Sequence, residues 1–133
     1  MTPTPELTRN QALVHETLSK AEGPLSAYTI LDRLRDDGFR APLQVYRALE
    51  KLTGLGLVHR LESINAFVAC AGEHRHDDHG LIAFAICERC GQVEEFADPG
   101  VRSRLEGWAA SNNFHVNKTT IEIRGKCAAC AAA

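Results

Sequence analysis

Residues 42–70, PLQVYRALEKLTGLGLVHRLESINAFVAC, decide how the first half of the chain folds. Val45, Leu49 and Leu52 recur at helical spacing, while Gln44, Arg47 and Lys51 fall on the opposite face, the pattern of a helix with one buried stripe. Pro42 suits a first helical position, where its missing N–H removes no bond. Gly54 and Gly56 interrupt the pattern, and two short apolar runs, 57–61 and 66–70, follow around the turn-like Ser63-Ile64-Asn65. That is a hairpin placed directly after a helix.

Working outward, Thr8 and Gln11 form a capping-box start, and Ala12, Leu13, Val14 and Leu18 give a first helix that ends before Gly23-Pro24. Ser26 is a second N-cap, with Ile30, Leu31 and Leu34 at helical spacing and Gly38 where that helix stops. Three helices and a hairpin make a winged helix-turn-helix, expected over residues 1–72. Residues 71–80 are polar and rich in Gly, His and Asp, so 73–80 reads as a hinge linker. Beyond it, 81–87 and 92–96 read as strands, 99–113 as a helix and 119–124 as a strand, a small α+β lobe over 81–133. The whole is therefore α+β, and the terminal alanines are expected to fray.

Composition narrows the function. At 133 residues, 44% apolar and 24% charged, the chain is a globular protein of one ordinary domain or two small ones. The longest mostly apolar run, 80–87, is far short of the roughly 20 residues that span a bilayer, and the first residues lack signal-peptide character. A cytoplasmic protein with no membrane partner is expected. The net charge is −2, and residues 1–60 carry eight Lys or Arg against seven Asp or Glu. That excess is too small to announce a nucleic-acid partner, so motifs must carry the claim.

The strongest motif is a pair of C-x-x-C units, Cys87-Cys90 and Cys127-Cys130. This spacing lets adjacent thiolates grip one tetrahedral zinc ion through a tight turn, with Arg89 and Lys126 beside them to offset excess negative charge. A thioredoxin-like redox pair needs one C-x-x-C only, and the second would have no role. Four thiolates close the coordination sphere, leaving no open position for catalytic water, so the ion is structural. The remaining ligand types gather elsewhere: His59 and the fifth cysteine, Cys70, on the hairpin, His74, His76, Asp77, Asp78 and His79 in the linker, and Glu94 and Glu95 on a later strand. A thiol beside histidines suits a second zinc site.

Ser26-Ala27-Tyr28, Val45-Tyr46-Arg47-Ala48-Leu49, Val58-His59-Arg60-Leu61-Glu62-Ser63 and Ile86-Cys87-Glu88-Arg89-Cys90-Gly91 together resemble the ferric uptake regulator family, and more closely its zinc uptake regulator branch. The resemblance covers nearly the whole chain. It implies a winged-helix N-terminal domain, a C-terminal dimerisation lobe, and a homodimer that binds double-stranded operator DNA and represses zinc-uptake genes when zinc is bound. It further implies a structural ion on the two C-x-x-C pairs and a sensing ion on His59, Cys70, His79 and Glu95, hence one structural and at least one regulatory zinc per chain. His76 and His74 are secondary candidates, and His115 a weaker one. Gln44 departs from the pattern, standing where the family more often has Thr.

For a winged helix the third helix enters the major groove. Arg47 is then the side chain expected to pair with guanine and Gln44 the one expected to read adenine, while Tyr28 and Tyr46 pack on thymine methyls or bond to phosphate. A metal ion taking ligands from wing and C-terminal lobe would fix the angle between them, and with it the half-site spacing. An iron- or peroxide-responsive sensor of the same family would use the hinge without a thiol, and Cys70 argues against it. A zinc hydrolase needs an open zinc with a base such as Glu94 or Glu95, and no H-E-x-x-H motif is present. No enzyme activity and no small-molecule substrate are expected.

Overall fold

A computed structural model of the chain describes residues 6–70 and 81–132. The chain divides into two compact units, Met1–Gly72 and Glu73–Ala133.

In the first unit α1 (Arg9–Lys20), α2 (Ala27–Arg33) and α3 (Pro42–Gly54) precede a hairpin of β1 (Val58–Leu61) and β2 (Ala66–Ala69). The start of α1 follows from its sequence: Thr8 Oγ1 accepts the Gln11 N–H at 3.2 Å and Gln11 Oε1 accepts the Thr8 N–H at 3.1 Å, satisfying two donors that the helix itself cannot. Val14 and Leu18 of α1, Ile30 and Leu31 of α2, and Val45, Leu49 and Leu52 of α3 converge on one core with Phe39, Val58 and Phe67. Phe67 and Leu25 exchange two backbone hydrogen bonds, at 2.8 and 3.0 Å. The segment before α2 thereby pairs with the hairpin and ties the wing to the helices.

The second helix is shorter than its apolar spacing suggested. It ends at Arg33, and Arg35–Asp37 form a separate 3-10 turn. Leu34 leaves helical geometry, its N–H shared between Ile30 O and Leu31 O at 3.1 Å each, and the tighter turn lets Leu34 and Phe39 both reach the core, 4% and 1% exposed. Gly38 follows at φ +98°, a conformation in which a Cβ is strained. Asp32 and Arg35, three positions apart, form an exposed ion pair at 3.0 Å, worth a few tenths of a kcal/mol.

The second unit is built on β3 (Leu81–Cys87), which pairs antiparallel with β4 (Val93–Phe96) and parallel with β5 (Thr119–Gly125). A parallel pair requires a crossover, and α4 (Pro99–Ser111) lies within it. Pro99 occupies the first helical position, and the Asp98 carboxylate caps α4 by accepting the Gly100 and Val101 N–H groups at 2.9 and 3.1 Å. This helix stops two residues before the expected 113, because Asn112 N–H turns back to the Trp108 and Ala109 carbonyls and Asn113 is left-handed at φ 53°. Ala83, Phe84 and Ile86 of the central strand are buried, whereas Leu105, Trp108, Phe114 and Ile123 stay exposed. Of the terminal alanines, expected to fray, Ala131 and Ala132 lie in a short α5 (Ala128–Ala132), consistent with the high helix propensity of alanine.

Candidate metal centre and nucleic-acid interface

The parallel register of β3 on β5 sets Cys87 opposite Gly125, so both strands end at one place and each C-x-x-C continues from that end. After β3 the chain turns back sharply, with Gly91 N–H bonded to Cys87 O at 3.0 Å. Gly91 closes this turn at φ +79°, where only glycine sits without strain. On the other side, α5 holds Cys130, its first turn closed by Ala131 N–H to Cys127 O at 2.8 Å. The four sulfurs of Cys87, Cys90, Cys127 and Cys130 all lie within 4.8 Å of one another, and Cys90 and Cys127 are 3.8 Å apart. Zinc–sulfur bonds of about 2.3 Å in a tetrahedron place neighbouring sulfurs roughly 3.8 Å apart. The donor set therefore fits a zinc ion in both number and span.

Electrostatics favour the same chemistry. Cys90 N–H and Cys127 N–H both point at Cys87 Sγ, at 3.4 Å, and these donors, Cys90 first, bring the Cys87 thiol from its usual 9.0 down to about 5. The direction of that shift favours the thiolate, the form that binds a cation. Cys130 is pushed up to about 12, first by its hydrogen bond with Cys127 and then by that with Cys87, as expected where adjacent thiolates would repel. A dication is the partner that lets all four ionise together.

Within the first unit, His59 lies on β1 opposite Val68 of β2, and Cys70 follows two residues beyond Val68. They share one face of the hairpin, and a ring nitrogen of His59 and Sγ of Cys70 lie within 4.8 Å of each other. His59 is buried and Cys70 half-buried. Glu95 lies in the other unit, half-buried on β4 opposite Phe84, with Glu94 exposed beside it. His79, His76 and His74 lie outside the described residues, as do Asp77 and Asp78. His115 is exposed.

On α3 the buried stripe holds the helix against the core and leaves Arg47 exposed, with Tyr46 41% and Leu43 57% exposed. Tyr28, 62% exposed, stands in the first turn of α2. Leu43 escaped the sequence reading, since an apolar residue beside a buried stripe looks like core; its offset of two positions from Val45, against the helical period, was the available signal. Gln44 differs from expectation. Its Oε1 accepts the Arg40 N–H at 2.7 Å and the Ala41 N–H at 3.0 Å, so the oxygen that bidentate adenine pairing requires is already engaged.

The ferric uptake regulator family model matches residues 6–124. The chain is 40% identical over 127 residues to the zinc uptake regulation protein of Escherichia coli (strain K12), covering 93% of this chain and 72% of that protein. Two solved structures are similar as well. One is holo XcZur, 42% identical with a TM-score of 0.84, covering 96% of this chain and 88% of the other; the second is a zinc uptake regulator complexed with zinc and DNA, 37% identical with a TM-score of 0.87, covering 96% and 84%. Thiol cluster, winged helix and matched sequence agree, and the chain belongs to the ferric uptake regulator family.

Proposed function

We propose that this chain is a zinc-responsive transcriptional regulator that binds double-stranded operator DNA as a homodimer and represses zinc-uptake genes when zinc is bound. The similar protein solved with zinc and DNA supports the pairing of that metal with that partner. The observation that carries the zinc assignment within the family is Cys70 beside His59, because a soft thiolate next to imidazole selects zinc over the harder oxygen-preferring metals. Cys87, Cys90, Cys127 and Cys130 hold a structural ion that staples the second unit. His59, Cys70, His79 and Glu95 hold a sensing ion, with His76 and His74 as secondary candidates for an extra site. The domains are 1–72 for DNA binding and 81–133 for dimerisation, joined by 73–80. The chain acts by binding in the cytoplasm and not as an enzyme, and no described helix is long and apolar enough to cross a membrane.

The exposed apolar residues of the second unit, Leu105, Trp108, Phe114 and Ile123, with the Trp108 and Phe114 rings 5.7 Å apart, support dimerisation there, since exposed apolar patches mark interfaces. Arg47 reads guanine, Tyr46, Tyr28 and Leu43 pack on thymine methyls or reach phosphate, and two copies of α3 address two half-sites about one duplex turn apart. The test is operator affinity of the purified chain at controlled free zinc, iron and manganese. Zinc-selective tightening supports the reading; tightening by iron with indifference to zinc would assign the chain to an iron-sensing role.

A further inference from the structure

Gln44 occupies the third position of α3, a helix whose N-cap is Ala41 and lacks a side-chain acceptor. At a helix start the first N–H groups have no intrahelical partner. Gln44 supplies one through its carboxamide oxygen, taking the N–H groups of Arg40 and Ala41 at 2.7 and 3.0 Å. This fixes which way the amide faces: two backbone donors require an acceptor, so the oxygen and not the NH2 must point toward the chain before α3. Both lone pairs of that oxygen are then used, and the NH2, a donor only, projects the other way. Gln44 is half-exposed and Arg47 exposed. Three positions apart, they share a helix face and line one cleft of about 300 Å³ with the first turn of α1.

Resting on the DNA-binding reading above, we propose that Gln44 both fixes the start of the recognition helix and restricts what that helix reads: its oxygen anchors the backbone, and its NH2 donates to a major-groove acceptor next to the base taken by Arg47. Guanine presents N7 and O6, thymine O4 and adenine N7 as acceptors there, whereas the adenine and cytosine amino groups are donors. A donor-only Gln44 therefore selects a keto or N7 edge and gains nothing from adenine's amino group. Beside a guanidinium, which also only donates, it extends the acceptor run that the helix requires.

Two variants separate anchor from reader. Gln44→Glu keeps the oxygens for Arg40 and Ala41 and loses the NH2; Gln44→Met keeps length and loses both. The probe is a duplex selected from a randomised pool by the wild-type chain with zinc, then rebuilt with single substitutions that remove one acceptor (7-deazaguanine or 7-deaza-adenine for N7, 2-aminopurine for guanine O6, 5-methyl-2-pyrimidinone for thymine O4) or the adenine amino group (purine for adenine). Amide hydrogen exchange should show Arg40 and Ala41 protected in wild type and Gln44→Glu, and unprotected in Gln44→Met. Both variants should bind the duplex roughly tenfold or more weakly, and substitution of the acceptor at one base should weaken wild type while costing neither variant anything further. If instead loss of an adenine amino group weakens wild type but not the variants, Gln44 pairs bidentately and the inference fails. Wild-type affinity of Gln44→Glu, or unprotected Arg40 and Ala41 amides in wild type, would also overturn it. A wild-type chain that enriches no sequence contradicts the DNA-binding reading itself, an outcome distinct from these.

Discussion

Arg47 stands exposed on α3 with Val45 and Leu49 buried on either side of it in sequence, so its guanidinium can be removed without opening the core. Arg47→Ala should cost about 1–3 kcal/mol of specific DNA affinity while zinc content and dimer persist. Titration against selected and random duplexes checks this, and an equal loss on both would make Arg47 a phosphate contact. Cys70 is a second single-residue wager. As a half-buried thiol it could be inert packing, but its sulfur lies within 4.8 Å of a His59 ring nitrogen. Cys70→Ser should abolish zinc-dependent DNA binding and leave one tightly held zinc per chain, read by metal analysis beside affinity; an unchanged metal response would move the sensing site elsewhere.

At the scale of elements, the second unit depends on two turns meeting at the ends of β3 and β5. Its described core is small, Ala83, Phe84, Ile86, Cys87 and Ala109, and small lobes commonly need a metal or a partner to stay folded. Cys87→Ser or Cys127→Ser should unfold this unit or break the dimer, followed by the fluorescence of Trp108, the only tryptophan, together with sedimentation. A folded dimer that still holds this zinc would contradict the structural role. The first unit, by contrast, rests on packing, and Leu49→Ala should cost about 2–5 kcal/mol of its stability with the thiol-bound zinc untouched. What was legible in the sequence was local. The capping box of Thr8 and Gln11, the stripe of α3, the hairpin and the paired C-x-x-C units each depend on residues a few positions apart. What was not legible depended on choices made in three dimensions: α2 breaks at Leu34 because the core takes both Leu34 and Phe39, and Gln44 turns back to the backbone because Ala41 offers no cap. The alanine tail becomes a helix where it carries Cys130.

For the molecule as a whole, zinc and DNA must be linked. If the sensing ion favours the conformation that matches the half-site spacing, zinc tightens DNA binding, and DNA must tighten zinc binding by the same factor. On the proposed reading the structural ion stands outside this exchange, since a closed four-thiolate site keeps its ligands in either state. The most direct measurement is therefore affinity of the purified dimer for its selected duplex across a series of buffered free-zinc concentrations, repeated with iron and manganese, with zinc content determined at each point. The expected result is weak, sequence-indifferent binding while only the thiol-bound ion is present, and strong selective binding as a second zinc per chain is taken up. Full-strength selective binding with one zinc per chain, unaffected by further zinc, would contradict zinc sensing outright.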